Sequence, residues 1–578
     1  MEKWMVYSKK ADFAALGKKF SIDPVIIRII RNRNVEGEEA IFRYLHGTKE
    51  DMYSPWLFKD MEQAVAILTQ KIEEQKKIRI IGDYDADGVN SSCILLKGLE
   101  RCGARVDCEI PHRMLDGYGI NERLIEEAYK AGIDTILTCD NGIAAMKQTE
   151  FAKQMGLTVI ITDHHDIPYQ ETEKGREYQV PPADAVINAK QQDCPYPFKG
   201  LCGAGVAYKV VQALYEKLGI PEEELYGLLE FAAVATIGDV MDLQDENRIL
   251  VKEGLCRLRK TKNLGLRALM QVNGIEPEAL NSYHIGFIIA PCLNAGGRLD
   301  TAKRALALLL SEDKMEAGIM AGELKALNDS RKAMTIQETE KACKQIDEQG
   351  AEDKVLVTCL PECHESLAGI IAGKLREHYY KPAIVLTKGS EGLKGSGRSI
   401  EGYSMFEELV KCSQYLDKFG GHPMAAGLSL KEENLSLFCQ ALNQNCTLQP
   451  EDYICKRWID VPMPFSYITK ELIQEFSLLE PFGKGNEKPL FAAKDIVVQS
   501  FRIVGKNHNA IKLLLLDKDN CKVDAVYFGD TKEFVDKIHA GSKISVLYYP
   551  SINVYRGVET IQITISGYQI QPARQTHE

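Results

Sequence analysis

The chain has 578 residues, of which 45% are hydrophobic and 26% charged, and its formal net charge is −11. This length exceeds what one hydrophobic core usually serves, so we expect several domains, and the apolar share excludes a wholly disordered chain. No apolar run reaches the about 18 residues of a membrane span, and no secretory signal begins the chain, which predicts a cytoplasmic protein without membrane contact. The acidic balance means that any nucleic-acid binding depends on local basic groups.

The first half of the chain alternates short apolar runs with helical stretches. A glycine turn at Gly88 is followed by a predicted helix over 91–101, and further helices are predicted over 203–218 and 222–234. Strands spaced by helices predict an α/β unit with a mostly parallel, covered sheet, and this unit with the N-terminal region before it is assigned to 1–310. The candidate strands are 77–83, 106–110, 135–139, 158–162 and 185–188.

Three further regions follow along the chain. Residues 311–349, rich in Ala, Leu, Lys and Glu, are predicted to form a helical connector, with an ordinary helical pair as the alternative. A second, smaller α/β unit is predicted over 350–449, where KVLVTC at 354–359 forms its first strand. Over 450–578, short β-rich runs separated by polar turns predict an OB-like barrel.

One motif places three aspartates at alternate positions directly after an apolar strand. The string GDYDADG contains Asp83, Asp85 and Asp87. Charges this close repel each other unless cations or hydrogen bonds neutralise them. In open α/β sheets, ligands bind beyond the carboxyl ends of the strands, which is where the sequence puts this motif. We therefore predict a metal site, with a calcium-type loop or a solvated turn as alternatives.

Two later predicted strands also end in acidic or histidine residues. The apolar stretch before Asp239, which we also treat as a strand, provides a fourth end of this kind, counting the aspartate motif as the first. TILTC is followed by Asp140, VIIT by the string DHH at 163–165, and ATIG by Asp239. A single aspartate after a strand is more often a helix cap, but four such ends predict a shared cleft. Carboxylates together with imidazole favour one or two Mn²⁺ or Mg²⁺ ions. The residues expected in this cleft are Asp85, Asp87, Asp140, His164 and Asp239.

The strings IGDYDADG, TCDNG, TDHH and ATIGD resemble the motifs of the DHH phosphoesterases, and GDYDADG is closest to the RecJ branch of that family. The resemblance covers about residues 77–565 and implies a DHH domain, a DHHA1 domain and an OB-fold domain. Asp83 and His165 are implied catalytic groups. Ile81 departs from some relatives, which carry histidine there, so occupancy of a second metal position stays open. The implied metal ligands are Asp85, Asp87, Asp140, His164 and Asp239.

The second α/β unit carries two glycine-rich strings. LKGSGRS at 393–399 puts small residues beside a guanidinium, which suits a phosphate, with a plain glycine-rich turn as the alternative. FGGHPMAAG at 419–427 offers close backbone approach and one histidine. Both strings resemble the DHHA1 domain. The resemblance implies that Ser396 and Arg398 hold a terminal 5′-phosphate and that His422 is a catalytic group facing the scissile phosphate.

Three more residues match the RecJ branch. Arg113 matches a phosphate-binding position, and Asn294 and Arg298 are predicted substrate contacts, with packing as the alternative role. In the last region, the cationic and aromatic side chains at 479–486 and around Lys506 suit binding to a nucleic-acid backbone and stacking on its bases. No cofactor besides the metal ions is implied.

The resemblance implies a 5′-to-3′ exonuclease that hydrolyses single-stranded DNA to mononucleotides with a metal-activated water, in DNA repair and recombination. Single-stranded DNA is the implied partner, and a single-strand binding protein and a helicase are candidate protein partners. Two alternatives stay open. One is a DHH-type phosphodiesterase of short oligonucleotides or cyclic dinucleotides, and the other is a catalytically silent DNA-binding scaffold in replication.

Overall fold

A computed structural model describes residues 2–113, 116–172, 175–349, 352–389, 392–505 and 507–570. Lys506, in the predicted basic string, lies outside these ranges. Among the described helices, none combines the length and the apolar character that crossing a membrane requires. All sixteen cysteines are free thiols.

Strands and helices are numbered separately in chain order. The strands are β1 (Glu2–Val6), β2 (Lys77–Ile81), β3 (Arg105–Glu109), β4 (Thr135–Cys139), β5 (Thr158–Thr162), β6 (Tyr169–Thr172), β7 (Gly175–Tyr178), β8 (Ala185–Ile187), β9 (Leu356–Cys359), β10 (Ala383–Lys388), β11 (Leu393–Arg398), β12 (Lys418–His422), β13 (Ala425–Leu430), β14 (Cys455–Ile459), β15 (Val461–Pro462), β16 (Phe491–Val504), β17 (Ala510–Leu516), β18 (Lys522–Tyr527), β19 (Lys543–Tyr555) and β20 (Val558–Ile570). The helices are α1 (Phe13–Phe20), α2 (Pro24–Asn32), α3 (Glu38–His46), α4 (Met61–Glu73), α5 (Ala86–Arg101), α6 (Glu122–Lys130), α7 (Met146–Gln154), α8 (Gly203–Leu218), α9 (Glu222–Tyr226), α10 (Leu229–Gly238), α11 (Asp245–Leu258), α12 (Leu264–Val272), α13 (Ser282–His284), α14 (Ala290–Leu299), α15 (Lys303–Leu310), α16 (Lys314–Gln349), α17 (Ala368–Tyr379), α18 (Met405–Lys411), α19 (Leu435–Asn445), α20 (Lys470–Glu475) and α21 (Thr531–Lys537).

A five-stranded parallel sheet forms the centre of the first α/β unit, in the order β3-β2-β4-β5-β8. Strand β4 is buried along its whole length. Helices cover both faces, so the central strands read as continuous apolar runs rather than alternating ones. The predicted parallel α/β sheet is confirmed.

Helix α5 begins earlier than the sequence predicts. It starts at Ala86 rather than near 91, because the Asp85 side chain accepts hydrogen bonds from the backbone N–H groups of Asp87 and Gly88 and caps the first turn. At Gly88 a Cβ would lie 2.4 Å from a backbone oxygen of the preceding loop, so glycine is required inside the helix. Asp87 therefore lies on the first turn of a helix instead of in a loop.

The region before Asp239 also differs from its prediction. The single helix expected over 222–234 is two helices, α9 and α10, and α10 continues to Gly238, so Asp239 follows a helix and the strand assignment was wrong. Helix α10 is enclosed by α5, α8 and α11, and most of its residues are buried. A helix that is apolar on every side shows no 3.6-residue period, so the sequence could not separate it from a buried strand.

The long helix α16 joins the two α/β units, as predicted for the connector. Its 36 residues span about 54 Å. It packs against α12 and α14 of the first unit and against α17 and β9 of the second. The second unit has a five-stranded sheet in the order β12-β13-β11-β10-β9, in which only β9 and β10 are parallel.

The last region is a closed barrel. Its strands follow the order β16-β17-β18-β20-β19, and pairing of β16 with β19 closes the ring. Register shifts interrupt β16 and β19, where the two long strands bend to complete the curvature. The OB-like barrel expected from the β-rich runs is confirmed.

Helices α2 and α3 pack onto this barrel, a contact that no sequence pattern indicated. Ile26 and Ile30 belong to the same apolar cluster as Phe491 of β16. Beside them, Arg33 forms a two-pronged ion pair with Asp460, and both side chains are 3% exposed. Strand β1 pairs in parallel with β14. Residues more than 400 positions apart therefore form one packed unit.

Candidate metal centre and phosphate cavity

Four polar segments meet at the carboxyl ends of the parallel strands. The aspartate motif follows β2, Asp140 follows β4 and His164 follows β5, while Asp239 lies at the end of α10. Their potential ligand atoms form three overlapping groups, and the atoms of each group lie within 4.8 Å of one another. The groups are Asp83, Asp85 and Asp140, then Asp140, His164 and His165, then Asp87, His164 and Asp239.

His164 lies at the centre of the acidic side chains. Its Nε2 atom is 3.1 Å from Asp140 Oδ1, 3.6 Å from Asp87 Oδ2 and 3.7 Å from Asp239 Oδ2. Ligands placed about 2.1 Å from an octahedral ion are separated by about 3 Å, so these spacings suit atoms that surround a shared cation. Burial lowers the pKa of His164, which leaves the imidazole neutral, the form that binds metals.

The carboxylates carry more negative charge than the chain neutralises. Burial and neighbouring carboxylates raise the pKa values of Asp83, Asp85 and Asp140 above the ordinary range, and they raise that of Asp239 to about 8. No described residue forms a hydrogen bond to the buried Oδ1 atoms of Asp83 and Asp140. Oxygen and nitrogen donors without a thiolate fit Mn²⁺ or Mg²⁺.

Ile81 contributes nothing to this donor set. Its side chain is fully buried in an apolar cluster with Ile136 and Ile161. Asp83, two residues further on, supplies a carboxylate beside Asp85 instead. The described ligand atoms at this end of β2 are therefore all carboxylate oxygens.

The start of helix α8 fixes Asp87. The backbone N–H groups of Gly203 and Ala204 donate to its two carboxylate oxygens over 2.6 and 2.7 Å. A helix N-terminus favours a negative charge at this position. At Gly203 a Cβ would lie 2.7 Å from Asp140 Cβ, so only glycine allows the approach. Neither residue was predicted, although the glycines of GLCGAG were a visible signal.

Asp140 is held in a strained backbone conformation. Its φ is +60°, in the left-handed region that few residues other than glycine adopt. The Asp140 N–H donates to Thr162 O over 3.1 Å, and the Tyr118 hydroxyl donates to Asp140 O over 2.9 Å. Such strain concentrates at functional sites, where surrounding contacts maintain it. Tyr118 was not predicted as a site residue.

His165 is oriented by Asp163, a residue of the string TDHH for which no role was predicted. His165 Nδ1 lies 2.7 Å from Asp163 Oδ1, and the Tyr118 hydroxyl lies 3.3 Å from the ring nitrogens. Burial alone would lower the pKa of His165, but the Asp163 carboxylate outweighs it and raises the pKa to about 9. The half-exposed ring is therefore positively charged at neutral pH.

A cavity of about 470 Å³ lies between the two α/β units. Arg113 and Arg298 line it from the first unit, and Ser396 and Arg398 from the second. The described partners of Arg298 and Arg398 are backbone oxygens and a hydroxyl rather than carboxylates. Burial and the neighbouring Arg113 lower the pKa of Arg298 to about 10. The cavity therefore presents positive charge that the protein leaves largely uncompensated.

The two remaining predicted residues lie elsewhere. Asn294 is absent from the described cavity lining, and its Oδ1 accepts the backbone N–H of Ala86 over 2.7 Å, which fixes the start of α5. His422 is exposed at the end of β12. The pKa of Asp166 is lowered, first by its hydrogen bond to Lys190 and further by the charge of His422. His422 therefore lies near the segment that follows His165.

An exposed aromatic pair lies between the metal cluster and the barrel region. The rings of Tyr283 and Phe287 stack with centroids 4.8 Å apart, and the two residues are 59% and 66% exposed. They belong to α13 and the π-helix Ile285–Ile289, which packs against α10. The Ser282 hydroxyl donates to the Phe482 carbonyl in the loop before the barrel.

Comparison with known proteins identifies the family. The DHH family N-terminal domain matches residues 77–236, the DHHA1 domain 352–447 and the RecJ OB domain 459–567. The single-stranded-DNA-specific exonuclease RecJ of Bacillus subtilis is 38% identical over 95% of this chain and 68% of its own length. The RecJ of Haemophilus influenzae is 33% identical over 95% of this chain and 97% of its own length. The chain belongs to the RecJ family.

Solved RecJ structures show the same architecture. RecJ from Thermus thermophilus in complex with Mn²⁺ has a TM-score of 0.84 at 28% identity and covers 99% of this chain and 80% of that one. The same protein with Mg²⁺ has a TM-score of 0.77 at 26% identity and covers 99% and 79%. The resemblance to the RecJ branch and the three-domain fold predicted from the sequence are thereby confirmed.

Proposed function

We propose that this RecJ-family chain is a metal-dependent exonuclease that degrades single-stranded DNA in the 5′-to-3′ direction, in DNA repair and recombination. One observation carries the proposal. A buried acidic cluster faces, across one cleft, a cavity in which the described partners of Arg298 and Arg398 include no carboxylate. The relatives named as single-stranded-DNA-specific exonucleases support it.

In this proposal the acidic cluster holds one or two Mn²⁺ or Mg²⁺ ions, and Asp140 is shared between the ligand groups. The bound ions supply an activated water and neutralise phosphate charge. Hydrogen bonds from the backbone N–H groups at the start of α8 hold the Asp87 carboxylate in position. The proposed ligands are Asp85, Asp87, Asp140, His164 and Asp239.

Three side chains are proposed to act on the scissile phosphate. Asp83 Oδ1, which is buried and has no hydrogen-bond partner among the described residues, is placed to accept a proton from the attacking water. His165, charged and oriented by Asp163, donates from Nε2 to a phosphate oxygen. His422 approaches from the opposite wall of the cleft.

The cavity is proposed to hold the terminal 5′-phosphate and so to set polarity. Helix α17 begins beside Ser396 and Arg398, since a Cβ at Gly369 would lie 2.9 Å from Arg398 Nη2. The helix N-terminus and the guanidinium groups of Arg298 and Arg398 favour the same anion. If the bound end lies one nucleotide from the acidic cluster, each cycle releases a mononucleotide.

The stacked pair Tyr283 and Phe287 is proposed to support bases on the path toward the barrel. Exposed aromatic side chains bind single strands by stacking, because unpaired bases expose their ring faces and duplex bases do not. We extend the proposal to a cytoplasmic location, where DNA is accessible. A helicase and a single-strand binding protein, which generate and cover single strands, are proposed partners.

Two other functions are not favoured. A phosphodiesterase of short oligonucleotides or cyclic dinucleotides has no need of the barrel, which the RecJ OB domain matches over 459–567. A silent scaffold in replication has no need to keep buried carboxylates whose pKa values are raised. Both features support a polymer-degrading enzyme.

Digestion of end-blocked strands tests the proposal. Identical single strands, blocked at the 5′ or the 3′ end, are incubated with the chain and Mn²⁺ or Mg²⁺, and a duplex serves as control. We expect mononucleotides from the strand with a free 5′ end, little product from the 5′-blocked strand and little from the duplex. Equal digestion of both blocked strands, or cleavage of dinucleotides alone, would contradict the proposal.

A further inference from the structure

The cavity continues beyond the residues assigned to the 5′-phosphate. Its lining also includes Lys394, Lys418 and Ser429, for which neither the sequence nor the proposed mechanism provides a role. Lys394 precedes Ser396 by two positions on β11, so both side chains lie on the same face of the sheet. Strand β11, whose Ser396 and Arg398 are proposed to hold the terminal phosphate, therefore carries a further cation, Lys394, on the opposite side of Ser396 from Arg398.

The register of three neighbouring strands arranges this face in rows. Pairing of β11 with β13 and of β13 with β12 places each residue directly opposite its partner. The first row is Lys394, Ser429 and Lys418, the second is Ser396, Gly427 and Gly420, and the third is Arg398, Ala425 and His422.

The first row lies beside the second, on the side away from Arg398. Successive rows are two residues apart, which is about 7 Å along the strands. The second row has glycine at two of its three positions, so it forms a floor without side chains beside Ser396. A phosphate held by Ser396 and Arg398 then has two lysines and a hydroxyl on its far side, within reach of further phosphates joined to it by anhydride bonds.

The charge of the cavity exceeds that of one phosphate. Its described lining contains five cations and one carboxylate, Glu365, which leaves four net positive charges. Glu365 lies 3.3 Å from Lys394. A terminal phosphate monoester brings about two negative charges at neutral pH, so about two positive charges remain. The five cations are Arg113, Arg298, Lys394, Arg398 and Lys418.

We propose that this cavity accepts strands that end in a 5′-diphosphate or 5′-triphosphate, with the first phosphate at Ser396 and Arg398 and the others at the row of Lys394, Ser429 and Lys418. The inference rests on the proposed function and names a substrate class for the same site.

The reaction itself is unchanged. Water attacks the phosphorus of the first internucleotide linkage, the bond from that phosphorus to the 3′-oxygen breaks, and the 3′-oxygen takes a proton. The first product of a triphosphorylated strand is then a nucleoside triphosphate with a free 3′-hydroxyl, and the shortened strand keeps a 5′-monophosphate. Later products are mononucleotides.

The test compares one single strand with a 5′-hydroxyl, a 5′-monophosphate or a 5′-triphosphate. Binding is measured by fluorescence anisotropy without divalent ions, and products are identified by mass spectrometry with Mn²⁺. The double variant Lys394→Gln and Lys418→Gln removes two charges at exposed strand positions. Lys388→Gln, on neighbouring β10 and outside the described lining, is the matched control.

We expect the wild type to bind the triphosphate end at least as tightly as the monophosphate end and to release a nucleoside triphosphate first. The double variant should weaken binding of the triphosphate end about tenfold more than that of the monophosphate end, and the control should weaken neither selectively. Equal losses for both ends overturn the inference, as does a triphosphorylated strand that resists the enzyme while the monophosphorylated strand is degraded.

Two outcomes separate neighbouring explanations. Release of dinucleotides from the monophosphorylated strand would mean that an additional nucleotide occupies the lysine row, and it overturns the polyphosphate assignment. If the wild type degrades neither strand, the proposed function fails, while the binding comparison still decides whether the lysine row recognises a triphosphate.

Discussion

The two walls of the cleft, formed by the first and the second α/β unit, carry opposite charges, and each owes its charge to a different structural arrangement. In the first unit, carboxylates from three distant segments and an imidazole from a fourth converge where parallel strands end, and the carboxylates repel one another. In the second, cations line up on one face of adjacent antiparallel strands, where register alone places them. The acidic wall thus depends on long-range packing of the whole unit, whereas the basic wall depends on pairing within one sheet. We expect substitutions on the first wall to affect chemistry and those on the second to affect recognition.

The largest effect is expected for Asp140→Asn on the acidic wall. Asparagine tolerates the left-handed backbone but removes the charge shared between ligand groups, so kcat should fall about a thousandfold or more, about 4 kcal/mol in barrier, while single-strand binding persists. Single-turnover digestion and anisotropy measure the two quantities. Asp193→Asn, an exposed carboxylate paired with Lys59, is the control. A kcat within tenfold of wild type would remove Asp140 from the proposed centre.

Removal of divalent ions should reveal the repulsion within the acidic wall. The pKa of Asp239 is about 8 in the folded chain and about 3.9 in the unfolded chain. Between these pH values the folded state binds more protons than the unfolded state. The free energy of unfolding should therefore fall as the pH rises from 4 to 8. Mn²⁺ at a hundred times its Kd restores about 2.7 kcal/mol, with a larger gain in Tm at pH 8 than at pH 6.

Thermal melts in chelator and in Mn²⁺ at the two pH values provide the measurement. Asp239→Asn should reduce both the pH dependence and the Mn²⁺ gain. A metal-free chain whose Tm rises between pH 6 and pH 8 would show that the carboxylates do not repel one another as the structure indicates.

On the basic wall, Arg398→Ala should affect recognition of the strand end. Loss of a charge-assisted contact should raise the KM of a 5′-phosphorylated strand about tenfold to thirtyfold and leave a 5′-hydroxyl strand nearly unaffected. Steady-state digestion of both strands measures the difference. Arg376→Ala, on α17 but outside the described cavity lining, is the control. An unchanged preference for the phosphorylated end would mean that the phosphate binds elsewhere.

The smallest effect is expected outside both walls, at the aromatic pair. Phe287→Ala removes one stacking face, worth about 1 kcal/mol, so the KM of a long single strand should rise about fivefold while that of a trinucleotide stays the same. Tyr129→Ala, an exposed aromatic on α6, is the control. Equal changes in KM for long and short substrates would indicate that Phe287 stabilises its helix rather than binding the DNA strand.

Side chains at strand ends were predictable from the sequence, and contacts made by the backbone were not. Asp140 and His164 follow apolar strands of a recognisable α/β pattern, and parallel strands bring their ends together. The N–H groups of Gly203 and Ala204 that hold Asp87 have no residue-type signature, since any residue except proline carries an N–H. Tyr118 acts on Asp140 from 22 residues away through a single hydroxyl, which no spacing rule reveals.

The fold shows the same division. The parallel sheet, the long connector and the barrel each have a local period or length that the sequence displays. Helix α10 has no period because it is buried on all sides, and Asp239 was therefore assigned to the wrong kind of element. The packing of α2 and α3 on the barrel depends on complementary apolar surfaces far apart in the chain, which single segments do not encode.

The long separation of Arg33 and Asp460 along the chain delays the packing of the N-terminal helices during synthesis. The two residues are 427 positions apart, so at ribosomal rates of about 5–20 residues per second the early helices wait roughly 20–90 s for their partner. During that time Ile26 and Ile30, fully buried in the finished protein, stay open to solvent. The N-terminal helices therefore lack their apolar partner until the barrel has been synthesised, although the residues of both α/β units have been made by then.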